Sequence, residues 1–122
     1  MMTGFVKDIT TIDDFITNPQ DNQIILRDVV RCLRPAIEGI IRIKYKNIFK
    51  ENEWLGDFIQ RVRGARKGDS FFRLKDILSD LVDVNDYSKS YHHSNPNYIE
   101  NEISEKELLY YCKKTRKVIE LI

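Results

Sequence analysis

The strongest constraint on this chain lies between Gln23 and Lys46. Ile24, Ile25, Val29, Leu33, Ile37, Ile40, Ile41 and Ile43 recur mostly at steps of three and four residues, the repeat that puts side chains on one face of an α-helix. A stripe of that length predicts one long amphipathic helix, and such a stripe must be covered by other elements. Pro35 sits inside it. It removes the amide that would bond the Arg31 carbonyl and predicts a bend at that point.

The remaining elements are shorter. "TTIDDFITNP" predicts a short helix starting after Thr10 or Thr11 and ending at Asn18, before Pro19. A second main helix is expected after Asn52, with Trp54, Leu55, Phe58, Ile59 and Val62 as its apolar face, stopping near Gly64. After the loop "GARKGDS", Asp69 or Ser70 is placed to cap a third. Its core face would be Phe71, Phe72, Leu74, Ile77, Leu78, Leu81, Val82 and Val84, and it would continue through "NDYSKSY" to the histidines. "SNPN" breaks the chain. Ser104 and Glu107 then form the Ser-x-x-Glu pattern of a capping box. The last helix carries Lys113, Lys114, Arg116 and Lys117 toward its end, the sign that suits a helix C-terminus. No segment alternates with period two long enough for a strand. The fold class is therefore all-α: four main helices bundled over residues 21–122, with residues 1–20 weakly ordered or forming a short extra N-terminal helix.

At 122 residues the chain suits one domain. A formal charge of +1 gives no global attraction to nucleic acid or membrane, so a basic site has to be built locally. No apolar run approaches a membrane span, and no leader pattern opens the chain, so a cytoplasmic protein without membrane contact is expected. Cys32 and Cys112 fall on different predicted helices. Two isolated cysteines make no metal or redox signature, and buried reduced thiols are the expectation.

Three polar constellations bear on chemistry. His92 and His93 are adjacent and are the only histidines. Neighbours on a helix point about 100° apart, which is poor geometry for sharing one metal ion, and no Cys, Asp or Glu completes a ligand set at helical spacing. The pair is either a solvated helix end or supplies one general acid or base. Arg34 and Glu38 are four apart and so share a helix face, where they could pair. Arg27, Arg31, Arg42 and Tyr45 extend that stripe, and a solvated face with one ion pair is the plain reading. The third is the loop Arg61, Arg63, Arg66 and Lys67, flanked by Gly64 and Gly68. It lacks the spacing and the lysine of a P-loop and is either a solvated turn or a phosphate contact. Tyr87, Tyr91 and Tyr98 could stack bases, although Tyr87 and Tyr91 at helical spacing are more often core or boundary residues. Arginine, glutamate and histidine together suffice for RNA cleavage without metal or cofactor. A base takes the 2′-hydroxyl proton, an acid protonates the leaving oxygen, and arginine stabilises the phosphoryl charge.

"LRPAIEGIIRIKYKNIF", "WLGDFI", "NDYSKSYHHSN" and "ISEKELLYYCKKTRKVIELI", in that order, resemble the C-terminal region of coiled-coil AAA/ABC-type ATPases of bacterial defence systems. These include the PrrC- and RloC-type anticodon nucleases, whose nuclease part is related to HEPN ribonucleases. The resemblance spans roughly residues 24–121. It implies a four-helix HEPN-like bundle and a metal-independent endoribonuclease acting in phage defence or as a toxin. It implies Arg34, Glu38 and His92 or His93 as catalytic residues, with neither histidine preferred. Arg31, Arg42, Arg61, Arg63, Arg66, Lys67, Asn85 and Tyr87 would contact RNA, tRNA among the candidates. It implies no cofactor, a site completed across a homodimer, and an ATPase as partner or parent chain. The HEPN signature sets an arginine four to six residues before its histidine, whereas here that window holds Asp86, Tyr87, Ser88 and Lys89. Many ATPases with such a tail have no nuclease activity assigned. The alternative is a non-catalytic helical module that packs on an ATPase, which predicts histidines remote from Arg34 and Glu38 and an exposed apolar patch.

Overall fold

The computed structural model describes residues 4–91 and 102–122. Five α-helices run in the order α1 (Gly4–Thr17), α2 (Leu26–Lys44), α3 (Leu55–Gly64), α4 (Leu78–Lys89) and α5 (Glu105–Leu121), with a 3-10 helix at Phe72–Ile77 between α3 and α4. The described residues contain no strand, and none of their helices is long and apolar enough to cross a membrane.

The long stripe becomes α2, the centre of the packing, which touches each of the other four α-helices. Val29, Leu33, Ile37 and Ile41 are fully or almost fully buried along it. Ile25 and Ile43 are exposed instead: Ile43 lies two residues, about 200° round the helix, past the buried Ile41, and Ile25 precedes the first helical residue, Leu26. The helix continues through Pro35, which is exposed.

α1 starts earlier than "TTIDDFITNP" predicts and has 14 residues. It buries Ile12 and Phe15 against α2 and α5. Phe5, on its first turn, lies against Gly39 of α2, where a Cβ would sit only 2.7 Å from the ring. Glycine is what lets these two helices approach so closely.

The third predicted helix is two elements. Phe71, Leu74 and Ile77 are spaced by three and all buried, while Phe72 is exposed. Three residues per turn is the 3-10 repeat, which stacks i and i+3 on one side, and this core pattern fits the 3-10 segment that precedes α4. No side chain caps it, which corrects the expectation for Asp69 or Ser70. Its Arg73 donates to the carbonyls of Leu121 (2.8 Å) and Ile122 and to the Tyr45 hydroxyl (3.0 Å), tying this segment to the ends of α2 and α5. Beneath it Tyr45, Phe49, Phe58 and Phe71 pack ring to ring with centroids 4.9–6.3 Å apart, mostly in the edge-to-face manner that aromatic quadrupoles favour. α4 ends at Lys89, short of the predicted end, and Ser90 and Tyr91 close it as a turn.

Ser104 caps α5 as the sequence predicts, its Oγ accepting from the Glu107 amide at 3.2 Å. The basic residues of α5 serve a different end. α5 runs on to Leu121, so its last turn holds no cation. Lys114 pairs with Asp83 (2.9 Å) and Asp80 (3.6 Å), Lys117 with Asp80 (3.3 Å) and Arg116 with Asp13 (2.8 Å), fastening α5 to α4 and α1.

Candidate functional site

The N-terminus of α3 sets up the site. The first amides of a helix have no partner within it. Here the residue before the helix is Trp54, in extended conformation (φ −120°, ψ 177°), and an indole N–H can only donate. Acceptors therefore come from elsewhere. Asp57 reaches back to accept the Trp54 amide at 2.8 Å, and Glu38 of α2 accepts the Leu55 amide through Oε2 at 2.7 Å. Glu38 is 5% exposed, and this bond gives its carboxylate a fixed position.

The expected ion pair between Arg34 and Glu38 does not form. With the Glu38 carboxylate drawn to the α3 amide, Arg34 makes no ion pair among the described residues, and its buried Nε has no hydrogen-bond partner there. A buried donor left unmet is uncommon in a folded chain and calls for an explanation.

Both residues line one cavity of about 320 Å³, within the size range of small-ligand sites. α2 contributes Val30, Arg31, Arg34, Pro35 and Glu38. Trp54 closes one side, and Ser88 of α4 with Tyr91 from the turn after it closes another. The Ser88 Oγ is also buried, without a partner among the described residues. Tyr91 donates from its hydroxyl to the Glu102 carbonyl at 3.4 Å, and burial, with Glu107 nearby, raises its phenol above the usual range. The residues lining the cavity thus include two arginines, one glutamate, one serine, one tyrosine and one tryptophan. His92 and His93 lie outside the described residues, immediately after Tyr91 in the sequence.

The other candidates are placed differently. Arg31 lines the cavity and also approaches Asp28, with 3.8 Å between charged atoms. Arg42 donates to the Glu53 carbonyl at 2.7 Å, and its guanidinium lies over the Phe49 and Trp54 rings at 5.5 and 5.2 Å. It braces the segment between α2 and α3. Arg61 is clamped by Glu53 through two bonds of 2.8 Å, which hold that carboxyl below its usual range. Arg63, Arg66 and Lys67 are exposed, and neither they nor Arg61 line the cavity. Gly68 supplies the turn with the one positive φ among the described residues, +94°. Asn85 is buried one turn before Ser88, its Oδ1 without a partner among the described residues. The Tyr87 ring is stacked on Tyr111 at 4.0 Å and meets Tyr91 edge-on at 5.3 Å. Its exposure of 7% leaves no face for a base.

Trp54 and Ser88 are not singled out as site residues by the sequence, which reads Tyr91 only as a base-stacking or core residue. Trp54 reads as part of the α3 core stripe, yet it is 55% exposed. The signal was its position before the first helical turn, where an extended residue does not follow the helical repeat. The described residues contain no group of three His, Cys, Asp or Glu arranged to hold a metal. Cys32 is half-buried and Cys112 buried, both as free thiols. Burial pushes them up to about 11 and about 12, away from nucleophilic use at neutral pH. Comparisons with known families, with curated proteins and with solved structures find no match for this chain.

Proposed function

We propose that this chain is a metal-independent endoribonuclease domain, its helices forming an HEPN-like bundle of the anticodon-nuclease kind. One observation carries the reading. Arg34, with an unmet buried donor, and Glu38, with a fixed carboxylate, share a cavity whose wall ends at Tyr91, the residue before His92 and His93. Arg34 and Arg31 suit the non-bridging oxygens of a phosphodiester, since guanidinium presents a fork of donors. Glu38 and one histidine divide the base and acid roles. The base takes the 2′-hydroxyl proton, O2′ attacks phosphorus to give a 2′,3′-cyclic phosphate, and the acid protonates the departing O5′. Phage defence or toxicity, an ATPase partner or parent chain, and a homodimer belong to the same proposal.

The test is incubation with tRNA or total RNA in EDTA. Cleavage is expected to survive chelation and to leave a cyclic phosphate end. It should be lost in Arg34→Ala and in the double variant His92→Ala/His93→Ala. Arg34 has no polar partner among the described residues, and urea denaturation of Arg34→Ala beside the parent separates lost cleavage from lost stability, which for an arginine includes the packing of its stem. Intact RNA at high protein concentration overturns the reading.

A second reading, a non-catalytic helical module, is favoured by the bond from Leu55 to Glu38. Supporting the start of α3 is a structural duty that accounts for a buried carboxylate without chemistry.

A further inference from the structure

Trp54 is the chain's only tryptophan and a large apolar side chain left exposed. Nothing in the core requires it, because Leu55, Phe58, Ile59 and Val62 already cover the buried side of α3. Its backbone is nonetheless firmly held. The Trp54 amide donates to Asp57 at 2.8 Å, its carbonyl accepts from the Phe58 amide at 3.1 Å, and the next amide is taken by Glu38. The Arg42 guanidinium lies over the indole, itself anchored to the Glu53 carbonyl. The result is a positioned aromatic surface on the wall of a cavity that also holds Arg31 and Arg34.

We infer that Trp54 is a stacking platform for one unpaired base of a single-stranded nucleic acid whose backbone phosphate lies against Arg34 and Arg31. An aromatic face beside cationic side chains is the arrangement by which proteins hold single strands, stacking the base and neutralising the phosphate. A base inside a duplex has both faces covered by its neighbours and cannot use the platform, so the site selects single strands, loops and bulges. Neither contact needs a 2′-hydroxyl, so single-stranded DNA binds as well. The inference rests on the cavity of the proposed nuclease, but it concerns recognition and can stand or fall separately.

With one tryptophan among six tyrosines, tryptophan emission excited beyond the tyrosine absorption reports on this site alone. A short single-stranded DNA oligonucleotide, which cannot be cleaved through a 2′-hydroxyl, should quench the emission, and the same DNA annealed into a duplex should not. By anisotropy of a labelled oligonucleotide, Trp54→Ala should weaken binding about fivefold or more. Trp54→Phe should recover part of that loss, and both variants should keep the helical circular dichroism of the parent. Single-stranded DNA that does not bind, that binds without changing the emission, or that binds Trp54→Ala undiminished overturns the inference. Quenching by DNA with RNA left intact supports the platform and defeats the nuclease. Cleavage of RNA by Trp54→Ala with unchanged KM and kcat defeats the platform and leaves the nuclease.

Discussion

The Glu38 carboxylate accepts the Leu55 amide at 2.7 Å, joining the middle of α2 to the first turn of α3. That bond also explains why Glu38 and Arg34 do not pair, although one turn of helix separates them. A helix N-terminus is electropositive and has amides to satisfy, and Trp54 has no acceptor to offer. The carboxylate goes to the amide, and the guanidinium is left for another anion.

Glu38→Ala should therefore cost about 1–3 kcal/mol in urea denaturation, the penalty for stranding a buried amide. Glu38→Gln keeps an acceptor oxygen and should recover most of that stability while losing RNA cleavage. Equal stability of the parent and Glu38→Ala would show that the bond contributes nothing. Full activity in Glu38→Gln would confine Glu38 to its structural duty.

The cysteines set an alkaline limit. A thiol raised in the folded state keeps its proton after the unfolded chain has lost it, so stability is fully present below the ordinary value of 9.0 and falls as pH rises from there. For fully buried Cys112 the loss should approach about 1.4 kcal/mol per pH unit, continuing to about 12. Half-buried Cys32 adds a smaller loss over a similar range, up to about 11. Urea midpoints should thus be lower at about pH 10 than at about pH 8. At about pH 8 a thiol reagent should spare Cys112 in the native protein and label it in urea. Rapid native labelling of Cys112, or a midpoint constant across that interval, would contradict its burial.

How far the sequence reveals this molecule differs from element to element. The α2 stripe is legible because Val29, Leu33, Ile37 and Ile41 repeat at the helical period, and period alone decides which side is buried. The Ser104 cap is legible because it is local. The split of the third helix is not, since Phe71, Leu74 and Ile77 satisfy both a 3-10 and an α repeat over so short a span. Arg34 and Glu38 share a cavity because four-residue spacing places them on one face, but which of them meets Leu55 depends on where α3 docks. Ser88 and Tyr91 join the site only because α4 packs on α2, a long-range relation that no local pattern encodes. Trp54 was misplaced because its backbone is extended where the stripe assumes a helix. The basic residues of α5 follow the same rule. Their sign suits a helix end, but Asp13, Asp80 and Asp83 on other helices are what hold them.

The contact between α1 and α2 gives the last prediction. A Cβ built on Gly39 would lie 2.7 Å from Cδ2 and 3.1 Å from both Cβ and Cγ of Phe5. A ring tip could swing aside, but a Cβ moves only with its backbone, so Gly39→Ala must push the start of α1 away from α2. Such overpacking costs about 1–3 kcal/mol, against about 1 kcal/mol gained by replacing glycine inside a helix. The net expectation is a loss of about 1 kcal/mol in urea denaturation. The two residues must then be coupled. In a Phe5→Ala background the 2.7 Å contact with the ring is gone and only the 3.1 Å contact with Cβ remains, so adding Gly39→Ala should cost less than it does in the parent. If Gly39→Ala costs the same in both backgrounds, Phe5 is not what the glycine accommodates.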